Sequence, residues 1–206
     1  MIDVQFFSVL FLGIMVGIFH AFDADHIVAM ATLVNQKSKK KQVLKYAIKW
    51  GGGHGGILLV LGCLLAFVGF ELPVWFVHYS EVLVGVVLIY LGIRLWSFLK
   101  RSSLIKKETV EATSKKHDHV PLFIGMLHGV AGSAPVLALL PNMLESQFIL
   151  HIALFSLGCL LGMFGFGLVL GTFQVYVKHL NHNAANVFTR LLSIMSVSLG
   201  TYWIFS

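Results

Sequence analysis

An apolar run over residues 4–34 is interrupted once, by His20-Ala-Phe-Asp-Ala-Asp-His26. A helix crosses a bilayer core in about 20 residues. The run is therefore too long for one straight span, and it breaks where its charge sits. Two carboxylates and two imidazoles at membrane depth are costly unless they face a cavity, a partner or an ion. Carboxylate oxygen with imidazole nitrogen, and no thiolate, is a donor set suited to borderline divalent transition metals. The plainer alternative is an internally hydrogen-bonded cluster that only kinks the helix, although a kink needs fewer ionisable groups.

The rest of the chain predicts an all-α integral membrane protein. Charged residues are 12% of its 206 and hydrophobic ones 57%, about half the charged share of a soluble domain. Six stretches can each cross a membrane: 4–34, 46–70, 77–99, 120–140, 148–177 and 184–205. Residues 100–119 are polar enough to read as a mobile loop. The chain thus divides into a first three-helix unit (1–99), a cytoplasmic loop (100–119) and a second three-helix unit (120–206). The N-terminus carries Asp3 and no basic residue, so no cleavable signal peptide is expected. Cys63 and Cys159 both lie inside apolar runs and suggest neither a secreted disulfide framework nor a thiolate metal site.

All fifteen basic residues fall on one side of this topology. Lys37, Lys39, Lys40, Lys41, Lys45 and Lys49 follow span 1. Arg94, Lys100, Arg101, Lys106, Lys107, Lys115 and Lys116 surround the end of span 3, and Lys178 and Arg190 flank the loop after span 5. The opposite side holds Asp3, Glu71, Glu81 and Glu145. The positive-inside rule then puts both termini outside and the basic loops in the cytoplasm, most simply of a bacterial cytoplasmic membrane. The lysines serve topology, so the partners expected are lipid and a small cation, with no nucleic acid.

Gly17-Ile-Phe-His20-Ala and Gly125-Met-Leu-His128-Gly are alike at a separation of 108, and Tyr90-Leu-Gly92 and Ser198-Leu-Gly200 keep it. Cys63 and Cys159 do not, being 96 apart. Two halves of three spans each must be inverted in the membrane, an arrangement that typically places a substrate site near the midplane on broken helices. Spans 1 and 4 are the expected broken ones, span 4 at Pro135.

On an ideal helix His20, Asp23 and His26 share an arc of about 120°, while Asp25 points nearly opposite Asp23. Asp25 is therefore a supporting or capping group, or the segment unwinds and both carboxylates converge. His54, within Gly51-Gly-Gly-His-Gly-Gly56, is the expected ligand from span 2, about 12 Å deep from the cytoplasmic side. Its glycines allow close backbone approach or a break; helix packing alone is the blander account. His128 is the candidate from the second half, with Ser133 able to restore a freed backbone hydrogen bond. The loop patch His117-Asp118-His119 is weaker evidence. His78 and His151 near the outer face, and His179 and His182 near the inner one, need no metal role.

His20-Ala-Phe-Asp-Ala-Asp-His26-Ile resembles the signature of the nickel/cobalt transporter (NiCoT) family, and Gly53-His54-Gly55-Gly56-Ile57 resembles the Leu-Gly-His-Ser motif that follows it there. The resemblance implies metal recognition by His20, Asp23, Asp25, His26 and His54. It covers the first two spans. The longer family members have eight spans and acidic motifs in their second halves; this chain lacks the leading span and has Leu127-His128-Gly-Val-Ala-Gly-Ser133-Ala there. That stretch is similar to the compact urease-accessory (UreH-type) membrane proteins, which are regarded as nickel permeases. A cytoplasmic metal acceptor, such as urease or hydrogenase maturation proteins, would be the implied partner.

The expected function is a permease rather than an enzyme. It imports a divalent cation, nickel first and cobalt second, as cargo and without a resident cofactor. Import is downhill by about 4.6 kcal/mol per 100 mV for a divalent ion, at about 2.3 per charge. No Walker motif is present. A proton-coupled metal exporter and a membrane thiol-redox carrier using Cys63 and Cys159 are the alternatives.

Overall fold

The structure, a computed structural model, describes residues 4–35, 40–69, 73–104, 119–132, 145–180 and 182–205. All of its regular elements are helices: α1 (Val4–His20), α2 (Ala24–Val34), α3 (Lys40–Val68), α4 (Val74–Leu104), α5 (Val120–Ala131), α6 (Glu145–Leu180) and α7 (His182–Phe205). Four of them, α3, α4, α6 and α7, are long and apolar enough to span a bilayer, and less than half of each span is buried. Phe11, Phe19, Phe67, Trp75, Tyr90, Val169 and Phe205 are each more than half exposed. In water such a surface would forfeit about 25 cal/mol for each Å² left uncovered; against lipid tails it forfeits nothing. The protein is an integral membrane protein.

The first apolar run breaks as its composition demands. Its halves, Phe11–His20 and Ala24–Val34, meet at 57°. The end of α1 tightens, with Phe22 N–H donating to Phe19 O (2.9 Å) and Asp23 N–H to His20 O (3.0 Å). Asp23 is then extended (φ −60°, ψ 148°) at the N-cap of α2, and its carbonyl accepts the Ile27 N–H at 3.0 Å. Asp25 falls in the first turn of α2, where the helix dipole favours a negative charge.

Packing pairs α3 with α6, α4 with α7, α1 with α6 and α3 with α5. Small residues allow backbones to touch, the usual basis of helix association in lipid. A Cβ built at Gly17 would overlap the carbonyl oxygen of Phe155, and one at Gly125 that of Trp50. A Cβ at Gly85 would stand 2.6 Å from Gly200 O, and one at Gly92 2.8 Å from Ser193 O. Serine hydroxyls fasten the α4–α7 seam: Ser196 donates to Leu88 O at 2.7 Å and Ser193 to Gly92 O at 2.6 Å.

These contacts come in exchanged pairs. A shift of 108 takes Gly85 to Ser193 and Gly92 to Gly200, so the Gly85–Gly200 contact maps onto the Gly92–Ser193 contact. Leu88–Ser196, also 108 apart, maps onto itself. Between α3 and α6 the shift is 105: Gly17–Phe155 matches Gly125–Trp50, and Gly158–Ile14 matches Gly53–Leu122. Under that shift the counterpart of His54 is Cys159.

Some expectations change. The predicted start of the second span, residue 46, moves back to Lys40, and α3 runs unbroken through Gly51–Gly56. Those glycines serve close approach, since Gly51 meets Leu160, Gly53 meets Leu122 and Gly55 meets Ser156. His54 lies midway along the span Lys41–Val68, about 20 Å from its start, deeper than the 12 Å expected. Helix α5 ends at Ala131, where Gly132 N–H donates to His128 O at 2.8 Å. Ser133 and Pro135, with the break expected there, and His117 and Asp118 lie outside the described residues.

Candidate metal centre

The break at Ala21–Asp23 is the site's first component, because it turns two imidazoles toward the middle of the helix bundle. Asp23 does not make a side-chain cap bond to the backbone of α2. Instead His20 Nδ1 lies 2.7 Å from Asp23 Oδ2, the distance of an N–H donated to a carboxylate. That bond fixes the His20 tautomer and leaves Nε2 with its lone pair, as carboxylates do behind metal-ligating histidines. Asp23 itself is 53% exposed.

His26, one turn into α2, is 3% exposed. Its Nδ1 lies 3.3 Å from Asp25 Oδ1, yet the alignment of a hydrogen bond is missing and both ring nitrogens are without a partner among the described residues. The short separation alone is no bond, because alignment decides its strength. From mid-span on α3 comes His54, fully buried and with neither nitrogen paired. The rings of His20, His26 and His54 converge: centroids are 4.9 Å apart for His20–His26, 5.3 Å for His20–His54 and 4.8 Å for His26–His54.

His128 closes the group from the second half of the chain. Its ring centroid is 5.6 Å from that of His26. Nδ1–H donates to Ile124 O at 2.9 Å, which leaves the buried Nε2 with a free lone pair. His128, the repeat counterpart of His20, does not stand directly against it. His20 faces Gly132, whose Cβ would stand 3.5 Å from His20 Nε2, while His128 lies by His26.

Six buried imidazole nitrogens are thus unpaired in one place: His20 Nε2, both of His26, both of His54, and His128 Nε2. Each unmade hydrogen bond of a buried polar group costs about 1–3 kcal/mol, a large sum beside a typical folding free energy of about 5–15 kcal/mol. Convergent lone pairs without protein donors are what a cation recruits. Two donor sets lie within reach of a single ion, His20–His26–His54 and Asp23–Asp25–His26, with ligand atoms in each no more than 4.8 Å apart. They share His26. The first is buried and nitrogen-only; the second is more exposed and mostly oxygen.

Several neighbours were not visible in the sequence. Trp50 is fully buried with its Nε1 unpaired, and its ring lies 4.8 Å from His128. Phe155, on α6, lies 5.4 Å from His20. His151, four residues into the span Gln147–Phe173, is 4% exposed with Nδ1 unpaired among the described residues, so it is packed within the bundle. His78 is exposed and 3.9 Å from Glu81.

Over residues 8–202 the chain matches the family described as cytochrome C biogenesis protein transmembrane region. It is 30% identical over 222 residues to the urease accessory protein UreH of Bacillus sp. (strain TB-90), covering 99% of this chain and 93% of that protein. No solved structure matches it.

Proposed function

The chain belongs to the cytochrome C biogenesis protein transmembrane region family, and from its buried imidazole cluster and its likeness to a urease accessory protein we propose a permease that imports a divalent transition-metal cation, nickel before cobalt. One observation carries the reading: His20, His26 and His54 bring ligand atoms within 4.8 Å of one another at the break of a membrane-embedded helix, with the His128 ring 5.6 Å from that of His26. In this reading the cargo binds His20 Nε2, His26 and His54, with His128 Nε2 as a fourth donor. Asp23 positions His20, and Asp25 and Asp23 supply oxygen ligands on the exposed side of His26. Nitrogen donors favour nickel and cobalt over magnesium or calcium. The relative's description as a urease accessory protein fits delivery of nickel to a cytoplasmic acceptor such as a urease maturation protein, as does the resemblance of the His20–His26 motif to the NiCoT signature.

The exchanged contact pairs support two inverted halves, 1–99 and 120–206, joined by the loop 100–119 and related by an axis near Leu88 and Ser196. The lysine distribution supports both termini outside a bacterial cytoplasmic membrane. The test is uptake of nickel, cobalt, manganese and magnesium by purified protein in liposomes with a negative interior. Nickel and cobalt accumulate, and His20→Ala and His54→Ala abolish it. Normal nickel transport by both variants refutes the reading.

The family description favours one other function, a thiol-redox carrier. Its cysteines are Cys63, half-buried on α3, and Cys159, buried on α6. Gly62 packs on Ile152, seven residues and so about 10 Å along α6 from Cys159. A disulfide needs Cα atoms about 4.4–6.8 Å apart. A carrier also leaves the imidazoles without a task.

A further inference from the structure

His151 lies outside the cluster, and its environment is unusual for a histidine that only fills space. It is 4% exposed on a membrane-embedded helix, with Nδ1 fully buried and unpaired among the described residues. An imidazole so placed costs stability without a hydrogen bond to offset it. It stands on the α1–α6 seam: a Cβ at Gly13 would lie 3.4 Å from Nδ1, an ordinary contact, and 3.2 Å from the His151 carbonyl oxygen, a tight one. The same seam leads to His20. One turn along α6, about 6 Å, is Phe155, whose backbone touches Gly17 and whose ring is 5.4 Å from the His20 ring. Two turns along α1 from Gly13, about 10 Å, is His20 itself. The sequence along the seam is therefore an unpaired imidazole, an aromatic ring, and then the imidazole cluster.

We propose that His151 is a transient ligand for the divalent cation on its way to the His20–His26–His54 cluster, with Phe155 separating the two stations. This rests on the permease reading and adds a second binding point to it. A single imidazole holds a partly hydrated cation weakly, which suits a station that must release what it binds. The face of the Phe155 ring attracts a passing cation. On the topology above, His151 lies on the outer side of the cluster, six residues from the start of α6, where an imported ion arrives.

Two substitutions separate ligation from packing, because they rank oppositely. His151→Phe keeps an aromatic ring and removes the nitrogens; His151→Cys loses volume and keeps a metal ligand. Initial rates of nickel uptake are measured in liposomes at sub-saturating metal, and equilibrium nickel affinity in detergent by competition with a chelating dye. His151→Phe should lower the initial rate about tenfold, the weight of one supporting group at a metal site, while affinity stays within about twofold of wild type. His151→Cys should transport faster than His151→Phe. A His151→Phe variant as fast as wild type overturns the proposal and leaves the permease reading standing. A Phe variant faster than the Cys variant assigns His151 to packing and overturns it as well. A wild-type protein that moves no divalent cation takes down the permease reading first and this inference with it.

Discussion

Replacing His54 by Leu should stabilise the metal-free protein while destroying its response to metal. Substituting a fully buried side chain normally destabilises, but His54 is 0% exposed with neither ring nitrogen paired. Each such nitrogen carries a desolvation cost of about 1–3 kcal/mol. Leu removes both nitrogens, at a cost of less than about 1.5 kcal/mol for the change of shape. Two nitrogens recover about 2–6 kcal/mol, so even at the low end the balance is a gain of about 0.5 kcal/mol or more. For a chain of this length each kcal/mol moves Tm by about 2–4 °C, so the variant should melt a few degrees above wild type in chelator-treated detergent solution. Nickel binds the folded state and should raise the wild-type Tm as its concentration passes the Kd. For His54→Leu the same titration should leave Tm flat. The measurement is a thermal melt followed by intrinsic fluorescence, with and without nickel, for both proteins. A variant that melts several degrees lower in chelator, and still gains as much from nickel as wild type does, would show that His54 is an ordinary core residue.

The glycines give a second, graded prediction. Gly125→Ala places a Cβ onto Trp50 O and should cost about 1–3 kcal/mol by overpacking, whereas Gly52→Ala meets nothing within 4 Å and should gain about 0.5–1 kcal/mol from helix propensity; equal melting temperatures for the two would contradict the backbone contact. Topology is tested with cysteines at Val74 and Lys41, both exposed, in a background lacking Cys63 and Cys159. An impermeant thiol reagent added to intact cells should label the first and not the second, and the reverse pattern would invert the orientation. Changing both native cysteines to serine should leave nickel uptake within about twofold of wild type, since a serine within a helix can satisfy its hydroxyl on the carbonyl four residues back; loss of function by a protein that still folds would restore the thiol-carrier reading.

Much of the architecture could be read from residues because lipid leaves few choices. An apolar run of 31 residues with four ionisable groups in its middle must bend there, and it does, at Ala21–Asp23. His54 stood out because a single polar residue among five glycines has little to do in a packing seam. What stayed hidden depends on how helices meet. Asp23 binding the back of His20 requires the extended N-cap of α2, which an ideal helix does not contain. Burial of His151 follows from Gly13 on another helix, and the nearness of Trp50 to His128 from the α3–α5 crossing. The internal likeness was read at a spacing of 108, but between α3 and α6 the contacts match at 105. That three-residue difference hid the correspondence of His54 with Cys159.

For the proposed permease, the correspondence bears on how evenly its two states would hold the cargo. Where His20 answers to His128, His54 answers to Cys159, and Asp23, Asp25 and His26 answer to Ala131, Ser133 and Ala134. The scaffold repeats, but the ligands are loaded onto one half. If two identical inverted halves exchanged conformations, the inward-open and outward-open states would be related by a two-fold rotation and equal in free energy, with equal affinity for cargo. In the proposed permease such an exchange would not restore the same donors, because the corresponding sequence positions carry a cysteine and small residues. Two such end states would hold the cation unequally, and by linkage the cargo would shift the balance between them. In the permease reading, a lopsided donor set on a repeated frame would make capture and release differ in affinity, while the direction of net movement is still set by the concentration gradient and the membrane potential.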